Sequence, residues 1–253
     1  PSHRVLDLEA CPLADEAINA TLAAFRHTPE AQRLREGDHV TFRSTPHHGV
    51  FCWQTVETPF PPLPEDGLLA EDSPVGVLRV PADGFYQVNP AVGDALVRTV
   101  AEWFAAENAD GDVLDLYCGV GSFALRLAEQ AGVWAADSSA PAIKALLTAR
   151  STAPNLRAID AHARDLARRP MLAAEMAKMD AVVFAPPRAG ALEQSQQIAA
   201  SKVGRVVGVS CNPQTFARDA RVLTDAGFKL ERVLPVDQFL WSPHVELVGV
   251  FSR

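Results

Sequence analysis

Apolar runs and helical patterns alternate regularly from Gly84 to the end of the chain, and this alternation restricts the fold more than any other feature. Seven runs read as β-strands, and they cover residues 112–117, 133–137, 156–160, 180–184, 205–210, 229–237 and 245–251. The sequence predicts helices between the first six strands, as in βαβ units that build a parallel sheet covered on both faces. Only a short loop joins the last two strands, so we expect them to pair antiparallel.

A helix is predicted ahead of the first strand, over residues 90–108, because its apolar residues recur on one face. Together these elements predict an α/β fold with a mostly parallel, seven-stranded, Rossmann-like sheet and an antiparallel terminal hairpin. This layout is expected of a class I methyltransferase. We expect this domain to occupy residues 84–253.

Residues 1–80 are predicted to form a smaller α+β domain. A helix is expected over residues 13–25, and a proline-rich loop over residues 59–64. Three short extended pieces are predicted at residues 40–43, 50–56 and 75–80.

Composition limits the functional classes. The chain has 253 residues, is 48% hydrophobic and carries a formal net charge of −8. A simple nucleic-acid-binding module is usually basic, so any RNA contact here must come from local patches. The sequence has no apolar run of membrane-spanning length and no leader pattern, so we expect a monomeric cytoplasmic protein without membrane association.

Four cysteines stand at positions 11, 52, 118 and 211. They form no Cys-x-x-Cys pair and no tight cluster, so we expect reduced thiols and no metal site within this chain.

A glycine-rich turn follows the first strand of the alternating region. Gly119 and Gly121 allow a ligand to approach the backbone closely. Asp115 precedes them near the strand end, where a carboxylate suits the ammonium of S-adenosylmethionine. The third glycine of the pyrophosphate-binding fingerprint is missing, which favours S-adenosylmethionine over a dinucleotide.

Two further carboxylates follow strands. Asp137 ends the second strand, where it would bind the ribose hydroxyls or, alternatively, cap the next helix, a role that Ser138 or Ser139 could also fill. Asp165 follows the third strand, and contact with adenine and helix capping are equally consistent with its position.

Cys211 ends the fifth strand, where Asn212-Pro213 stops the strand and opens a helix. Ligands of open α/β sheets bind at this edge, so the thiol is a candidate nucleophile. The alternative is a small buried apolar residue.

Several separated motifs resemble the RNA uracil-C5 methyltransferase family, which modifies tRNA and 23S rRNA. They are Gly84-Phe85-Tyr86-Gln87-Val88-Asn89-Pro90, the turn from Asp115 to Phe123, Ala185-Pro186-Pro187-Arg188-Ala189-Gly190, the string from Ser210 to Asp219, Asp237-Gln238-Phe239 and His244-Val245-Glu246. The resemblance is close over residues 84–253 and loose over residues 1–80.

The resemblance implies a covalent mechanism. Cys211 would add to C6 of a flipped uracil, and Glu246 would remove the C5 proton after methyl transfer. The alternative for Glu246 is a surface carboxylate on an edge strand. 23S rRNA is favoured over tRNA as the substrate.

The same resemblance implies a donor pocket for S-adenosylmethionine. Its lining residues would be Gln87, Tyr117, Gly119, Gly121, Ser122, Asp137 and Asp165. Gln87 could instead cap the helix that begins near Pro90. Arg188 and Arg218 are interpreted as phosphate contacts or as structural ion-pair partners.

The chain departs from the family pattern at three places. Ala185 replaces the aspartate of Asp-Pro-Pro-Arg, and Ser122 replaces an asparagine. Cys11 lies in a segment that resembles the one holding the last cysteine of an iron–sulfur cluster, but this chain lacks the other three cysteines. Two other interpretations therefore stay open: a catalytically impaired paralogue that binds RNA or donor, and a small-molecule methyltransferase.

Overall fold

A computed structural model describes residues 7–54, 64–73, 76–105, 111–238 and 244–253. The chain divides between Glu71 and Asp72 into two compact units. None of the helices in these described parts is long and apolar enough to cross a membrane.

The first unit contains two helices and a β-hairpin. Its elements are α1 (Glu16–Phe25), α2 (Pro29–Gln32), β1 (Val40–Thr45) and β2 (Gly49–Gln54), and β1 pairs with β2 antiparallel. The α1 helix begins later than residue 13 because the Asp15 side chain accepts a hydrogen bond from the Ile18 N–H and caps the helix. The rings of Phe25 and Phe42 meet edge to face with centroids 5.7 Å apart, which packs α1 against the hairpin.

The extended pieces expected at residues 40–43 and 50–56 correspond to β1 and β2, with residues 55–56 outside the described residues. Two more strands follow, β3 (Leu68–Ser73) and β4 (Gly76–Pro81). Sequence reasoning missed β3, whereas β4 corresponds to the piece expected at residues 75–80. The proline-rich stretch lies outside the described residues except for Pro64.

The second unit is built around a seven-stranded sheet. Its elements in chain order are α3 (Pro90–Ala105), β5 (Asp112–Leu116), α4 (Ser122–Leu127), β6 (Val133–Asp137), α5 (Ala140–Thr152), β7 (Ile159–Ala163), β8 (Met179–Phe184), α6 (Leu192–Ala200), β9 (Arg205–Ser210), α7 (Pro213–Asp225), β10 (Lys229–Val236) and β11 (Glu246–Ser252). The strand order is β10-β11-β9-β8-β5-β6-β7. β11 runs antiparallel to both of its neighbours, and the other strands of the sheet are parallel to one another. This confirms the predicted mostly parallel α/β fold.

Two local predictions in this unit are wrong. The third strand begins at Ile159, three residues later than expected. Ahead of it, the Arg157 N–H donates to the Ala128 carbonyl just after α4 and not to a neighbouring strand. No helix separates β7 from β8, and described residues 164–178 form turns. Pro170 interrupts this stretch, and the Arg164 guanidinium donates hydrogen bonds to backbone carbonyls within it.

The sheet is buried on both faces. Alternate residues of β5 point to opposite sides, so Val113 belongs to one apolar cluster and Leu114 and Leu116 to the other. The first cluster takes its largest helical side chains from α3, including Leu96 and Phe104. Fully burying a side chain of this size stabilises the folded state by about 1.5–3 kcal/mol. Because β5 contributes buried side chains to both clusters, apolar packing stabilises this central strand on both faces of the sheet.

Two glycines let α7 approach the sheet closely. Gly208 of β9 and Gly249 of β11 are paired in register, and the Phe216 ring of α7 lies against both. A Cβ atom on Gly249 would overlap Phe216 Cζ and lie 3.0 Å from Phe216 Cε2. The absence of side chains at these glycines therefore sets how closely α7 approaches the sheet, and the N-cap of α7, Asn212, directly follows Cys211.

Gly249→Ala is expected to destabilise the fold by about 1–3 kcal/mol, because the added methyl group overpacks the space that the Phe216 ring occupies. Urea denaturation followed by circular dichroism measures this change. Gly204→Ala is the matched control, since a Cβ atom there has its nearest neighbour at 3.9 Å. Equal stability of the two variants would contradict the proposed packing.

Candidate active site

A cavity of about 600 Å³ opens at the carboxyl ends of β5, β6, β8 and β9. Parallel sheets of this kind bind ligands at this edge because the loops that follow the strands meet there. Most of the residues predicted from sequence line the cavity: Gln87, Tyr117, Gly119, Ser122, Asp137, Asp165, Cys211 and Glu246. Gly121 and Asp115 are the exceptions.

The glycine turn after β5 has a left-handed backbone. Gly119 has φ +55°, and a Cβ atom built there would meet nothing within 4 Å, so the space above it is open to a ligand. Gly121 has φ +86°, and a Cβ atom there would overlap the Leu146 side chain. Gly119 therefore faces the cavity, whereas Gly121 allows the start of α4 to pack against α5.

Tyr117 is the non-glycine residue with positive φ in the described part of the chain, at 63°. An L-residue in this region is strained, and such strain concentrates at functional sites. Burial raises the pKa of the Tyr117 phenol to about 12, with Asp219 adding to the rise. The phenol thus faces the cavity as a neutral hydrogen-bonding group.

Asp137 connects β6 to the glycine turn. Its Oδ2 accepts a hydrogen bond from the Gly119 N–H at 3.0 Å, and its Oδ1 accepts one from the Ser139 N–H at 2.8 Å. Ser139 caps α5 by accepting from the Ala142 N–H. The helix-capping alternative for Asp137 is therefore wrong, and its carboxylate is held at the cavity wall.

The sequence allows two roles for Asp165 and for Gln87, contact with the ligand or capping of a helix. Asp165 lines the cavity, and its Oδ1 also accepts hydrogen bonds from the Ala167 and Arg168 N–H groups, so it stabilises a turn. Gln87 does not cap α3, because Asn89 accepts the hydrogen bond from the Val92 N–H. Gln87 instead faces the cavity.

Asp115 does not occupy the position expected for it. Its side chain is fully buried, is not part of the cavity lining, and neither carboxyl oxygen has a hydrogen-bond partner among the described residues. Burial raises its pKa to about 8. Direct pairing of Asp115 with a donor ammonium is therefore wrong for this structure.

Cys211 and Glu246 lie at the ends of neighbouring strands. β9 and β11 are antiparallel, with Ser210 paired to Leu247, so continuing the register by one residue sets Cys211 opposite Glu246. Glu246 is 6% exposed and β11 lies between two strands, so the edge-strand alternative for this carboxylate is wrong.

The electrostatics of this pair are coupled. Burial raises the pKa of the Cys211 thiol and the Glu246 charge raises it further, whereas Arg188 lowers it. Burial also raises the pKa of Glu246, which the Gln238 hydrogen bond and Arg188 lower. The Arg188 guanidinium thus favours the ionised form of both groups, and its Nη2 lies 3.1 Å from His244 Nδ1.

Cys118 is a second thiol in the cavity wall, but its environment differs. It is 6% exposed, and burial together with Asp115 and Asp137 raises its pKa far above the usual range. Of the two cavity thiols, Cys211 is the one with a nearby cation, Arg188, that lowers its pKa.

A clamp fixes the loop after β8 against α7. The Arg188 carbonyl accepts hydrogen bonds from Asn212 Nδ2 and Thr215 Oγ1, at 3.1 and 3.2 Å. Arg218 Nη2 donates to the Ala189 carbonyl and pairs with Asp219. These contacts hold the Arg188 loop beside Asn212, the N-cap of α7, which directly follows Cys211.

Asp219 is a residue whose role sequence reasoning missed. Its buried carboxylate accepts a 2.7 Å hydrogen bond from the Ala191 N–H. Gly190 has φ +74°, and a Cβ atom there would lie 2.6 Å from Asp219 Oδ2. Of the two interpretations for Arg218, the structure supports the ion pair. A charged residue on the apolar side of an amphipathic helix was the signal that could have identified Asp219.

The described residues contain no group of three or more histidine, cysteine, aspartate or glutamate side chains that could hold a metal ion. Cys11 lies half-buried in the first unit, where its backbone N–H donates to Asn19 Oδ1.

The sheet order, the single antiparallel strand and the cavity above a glycine turn define a class I methyltransferase fold. A family model described as tRNA (Uracil-5-)-methyltransferase matches residues 72–253. The chain belongs to this family, as its motifs predicted.

Several relatives agree with this assignment. The chain is 61% identical over 178 residues to an uncharacterized RNA methyltransferase of Caulobacter vibrioides, a match that covers 70% of this chain and 42% of the relative. It is 38% identical to the 23S rRNA (uracil(1939)-C(5))-methyltransferase RlmD of Pseudomonas fluorescens, over 77% of this chain and 43% of that protein. The chain thus spans less than half the length of these two relatives.

A solved structure shares the fold. The tRNA (uracil-54, C5)-methyltransferase of Pyrococcus abyssi, crystallised with S-adenosyl-L-homocysteine, superposes with a TM-score of 0.60 and 28% identity. The match covers 73% of this chain and 44% of that chain.

Proposed function

We propose that this chain is the catalytic part of an RNA uracil-C5 methyltransferase that uses S-adenosylmethionine. The observation that carries the proposal is that Cys211, Glu246 and the Gly119 turn line the same cavity. A nucleophile, a base and a donor-binding turn are the three parts that this reaction needs.

The residues present fit S-adenosylmethionine. The cavity volume, about 600 Å³, is in the range of small-molecule sites. Gly119 leaves open space for the ligand, and Asp137 presents a fixed carboxylate beside it for the ribose hydroxyls. Gln87, Tyr117, Ser122 and Asp165 complete the proposed lining, and Gly121 supports the turn from behind. When bound, the donor supplies an electrophilic methyl group.

Cys211 is the proposed nucleophile. Its thiolate forms a bond to C6 of the uracil, the C5=C6 electron pair moves toward the carbonyl at C4, and C5 becomes nucleophilic enough to accept a methyl group. Burial and Glu246 raise the pKa of the thiol, and the Arg188 charge opposes that rise and so favours the thiolate.

Glu246 is the proposed base that ends the reaction. After methyl transfer its carboxylate takes the proton from C5, the C5=C6 double bond re-forms, and the bond from C6 to the Cys211 sulfur breaks. Burial raises the pKa of Glu246, which makes its carboxylate a stronger base than that of an exposed glutamate.

The RNA substrate is proposed from chemistry and from relatives. The similarity to RlmD supports 23S rRNA, and the Pyrococcus abyssi enzyme is named for a tRNA uridine. Arg188 and His244, beside the Cys211 side of the cavity, are exposed cationic or ionisable groups that could contact a phosphate despite the net charge of −8. We favour 23S rRNA and include tRNA in every assay.

Gly119→Ala is expected to weaken S-adenosylmethionine binding at least tenfold, because its methyl group would occupy the open space above the turn. Isothermal titration calorimetry measures the affinity. Gly227→Ala is the matched control, since Gly227 also has positive φ with nothing within 4 Å but lies after α7, outside the cavity lining. If both variants bind the donor as the wild type does, the turn is not the donor site.

Cys211→Ala is expected to abolish 5-methyluridine formation on unmodified 23S rRNA fragments or tRNA. Glu246→Gln is expected to slow product release and to accumulate a covalent protein–RNA adduct, because the C5 proton is not removed. Labelled donor measures methylation, and a denaturing gel detects the adduct. Cys11→Ala, a half-buried thiol of the first unit, should retain full activity. Full activity of Cys211→Ala would refute the mechanism.

Ala185 supports a second candidate, a paralogue that binds RNA or donor without efficient turnover. It lines the cavity where family members have an aspartate.

Ala185→Asp is expected to raise the methylation rate about ten- to hundredfold, since a charged hydrogen bond contributes about 1.5–3 kcal/mol. Ala189→Asp adds the same charge to the same loop outside the cavity lining and should not raise it. Absence of any rise in Ala185→Asp, with an inactive wild type, would favour the binding role.

A further inference from the structure

We propose that Gln238 is a positioning residue that holds Glu246 as an ionised base facing the cavity. This inference rests on the proposed function, because it assigns a role in the same reaction. Gln238 Nε2 donates a hydrogen bond to Glu246 Oε1 at 2.8 Å. The residue acts through Glu246, and it is not part of the cavity lining.

Strand pairing brings the two side chains together. Val236, the last residue of β10, pairs with Glu246, the first residue of β11. Gln238 follows two residues later, so its backbone passes the end of β11 just beyond the carboxylate. Glu246 is 6% exposed, and few water molecules can reach it to replace this hydrogen bond.

The orientation of the amide favours the charged form of the base, because a carboxylate oxygen is a stronger acceptor than the oxygen of a neutral carboxyl group. An ionised carboxylate only accepts hydrogen bonds, so the amide must turn its NH₂ group toward Glu246. The Gln238 Oε1 atom is then buried without a hydrogen-bond partner among the described residues. A buried unpaired acceptor destabilises a fold, so this arrangement sacrifices stability at Oε1 to stabilise the charge on Glu246.

The other charged and titratable groups around Glu246 come from four segments of the chain. Cys211 lies at the end of β9, and its charge would oppose that of Glu246. Arg188 comes from the loop after β8 and lowers the pKa of Glu246, and His244 contacts Arg188. Asp237 is the exposed neighbour of Gln238 on the β10 side. Gln238 is thus the hydrogen-bond donor that lowers the pKa of this base directly.

The sign of the effect follows from these contacts. Glu246 must be ionised to accept the C5 proton, and burial already raises its pKa. Without the Gln238 donor the pKa rises further, so a smaller fraction of the base is ionised at acidic pH. Activity should fall on the acidic side of the pH profile and remain unchanged on the alkaline plateau, where Glu246 is ionised in either case.

Two variants test this. Gln238→Met keeps the length of the side chain but removes the donor and the unpaired Oε1. We expect about a tenfold loss of single-turnover 5-methyluridine release at acidic pH, with the acidic limb displaced to higher pH and no loss of thermal stability. Gln238→Glu places a second carboxyl group against Glu246 and should displace the limb further.

A measurement without RNA separates this inference from the proposed function. The ¹³C resonance of the Glu246 carboxyl carbon, assigned by its absence in Glu246→Gln, should titrate at higher pH in Gln238→Met than in the wild type. Gln197→Met is the matched control, because Gln197 donates nothing to the site and its Oε1 accepts from the Ala173 N–H.

Each outcome decides one question. An unchanged Glu246 titration and an unchanged acidic limb in both Gln238 variants would overturn the positioning role even if the wild type methylates RNA. The Glu246 titration could be displaced in Gln238→Met while the wild-type protein makes no 5-methyluridine. That result would support the contact between Gln238 and Glu246 and refute the proposed function. A purely structural role predicts a lower melting temperature in Gln238→Met with the acidic limb in its original place, and this result would also overturn the inference.

Discussion

The arrangement of the site depends on the antiparallel pairing of β11 with β9. β11 runs in the opposite direction to the six other strands of the sheet, so it is the strand that begins at the edge where β9 ends. That reversal brings Glu246 to the same edge as Cys211, although the two residues are far apart in the chain. It also buries Glu246 between two strands, and burial is the main cause of its raised pKa.

The elements around this pair are fixed by close packing and buried hydrogen bonds. Gly208 and Gly249 let Phe216 settle onto the sheet, which sets the position of α7. Asp219 and Arg218 then tie the loop after β8 to the same helix. Arg188, the cation on this loop, is consequently held near the Cys211 thiol and the Glu246 carboxylate. The same contacts therefore stabilise the packing and set the electrostatics of the site.

Sequence reasoning predicted most of the fold because apolar periodicity and strand-end motifs are local signals. It failed where the decisive contact is distant in sequence. The strand expected from residue 156 begins at Ile159, because the Arg157 N–H bonds to the Ala128 carbonyl just after α4. Where a helix was expected after it, the Arg164 guanidinium hydrogen-bonds the backbone carbonyls of a stretch of turns. Asp115 was expected to contact the ligand, but its side chain is fully buried, and a linear sequence does not record which side chains near a strand end reach the cavity.

The sequence by itself determined the α/β class, the family and the identities of Cys211 and Glu246 as candidate groups, since motif spacing carries that information. The tertiary structure alone decided that the two share one cavity, that Asp137 holds the Gly119 turn, and that Gln238 reaches Glu246. The physical reason is that hydrogen bonds and burial depend on distances between separate strands, and those distances exist only after the sheet has assembled.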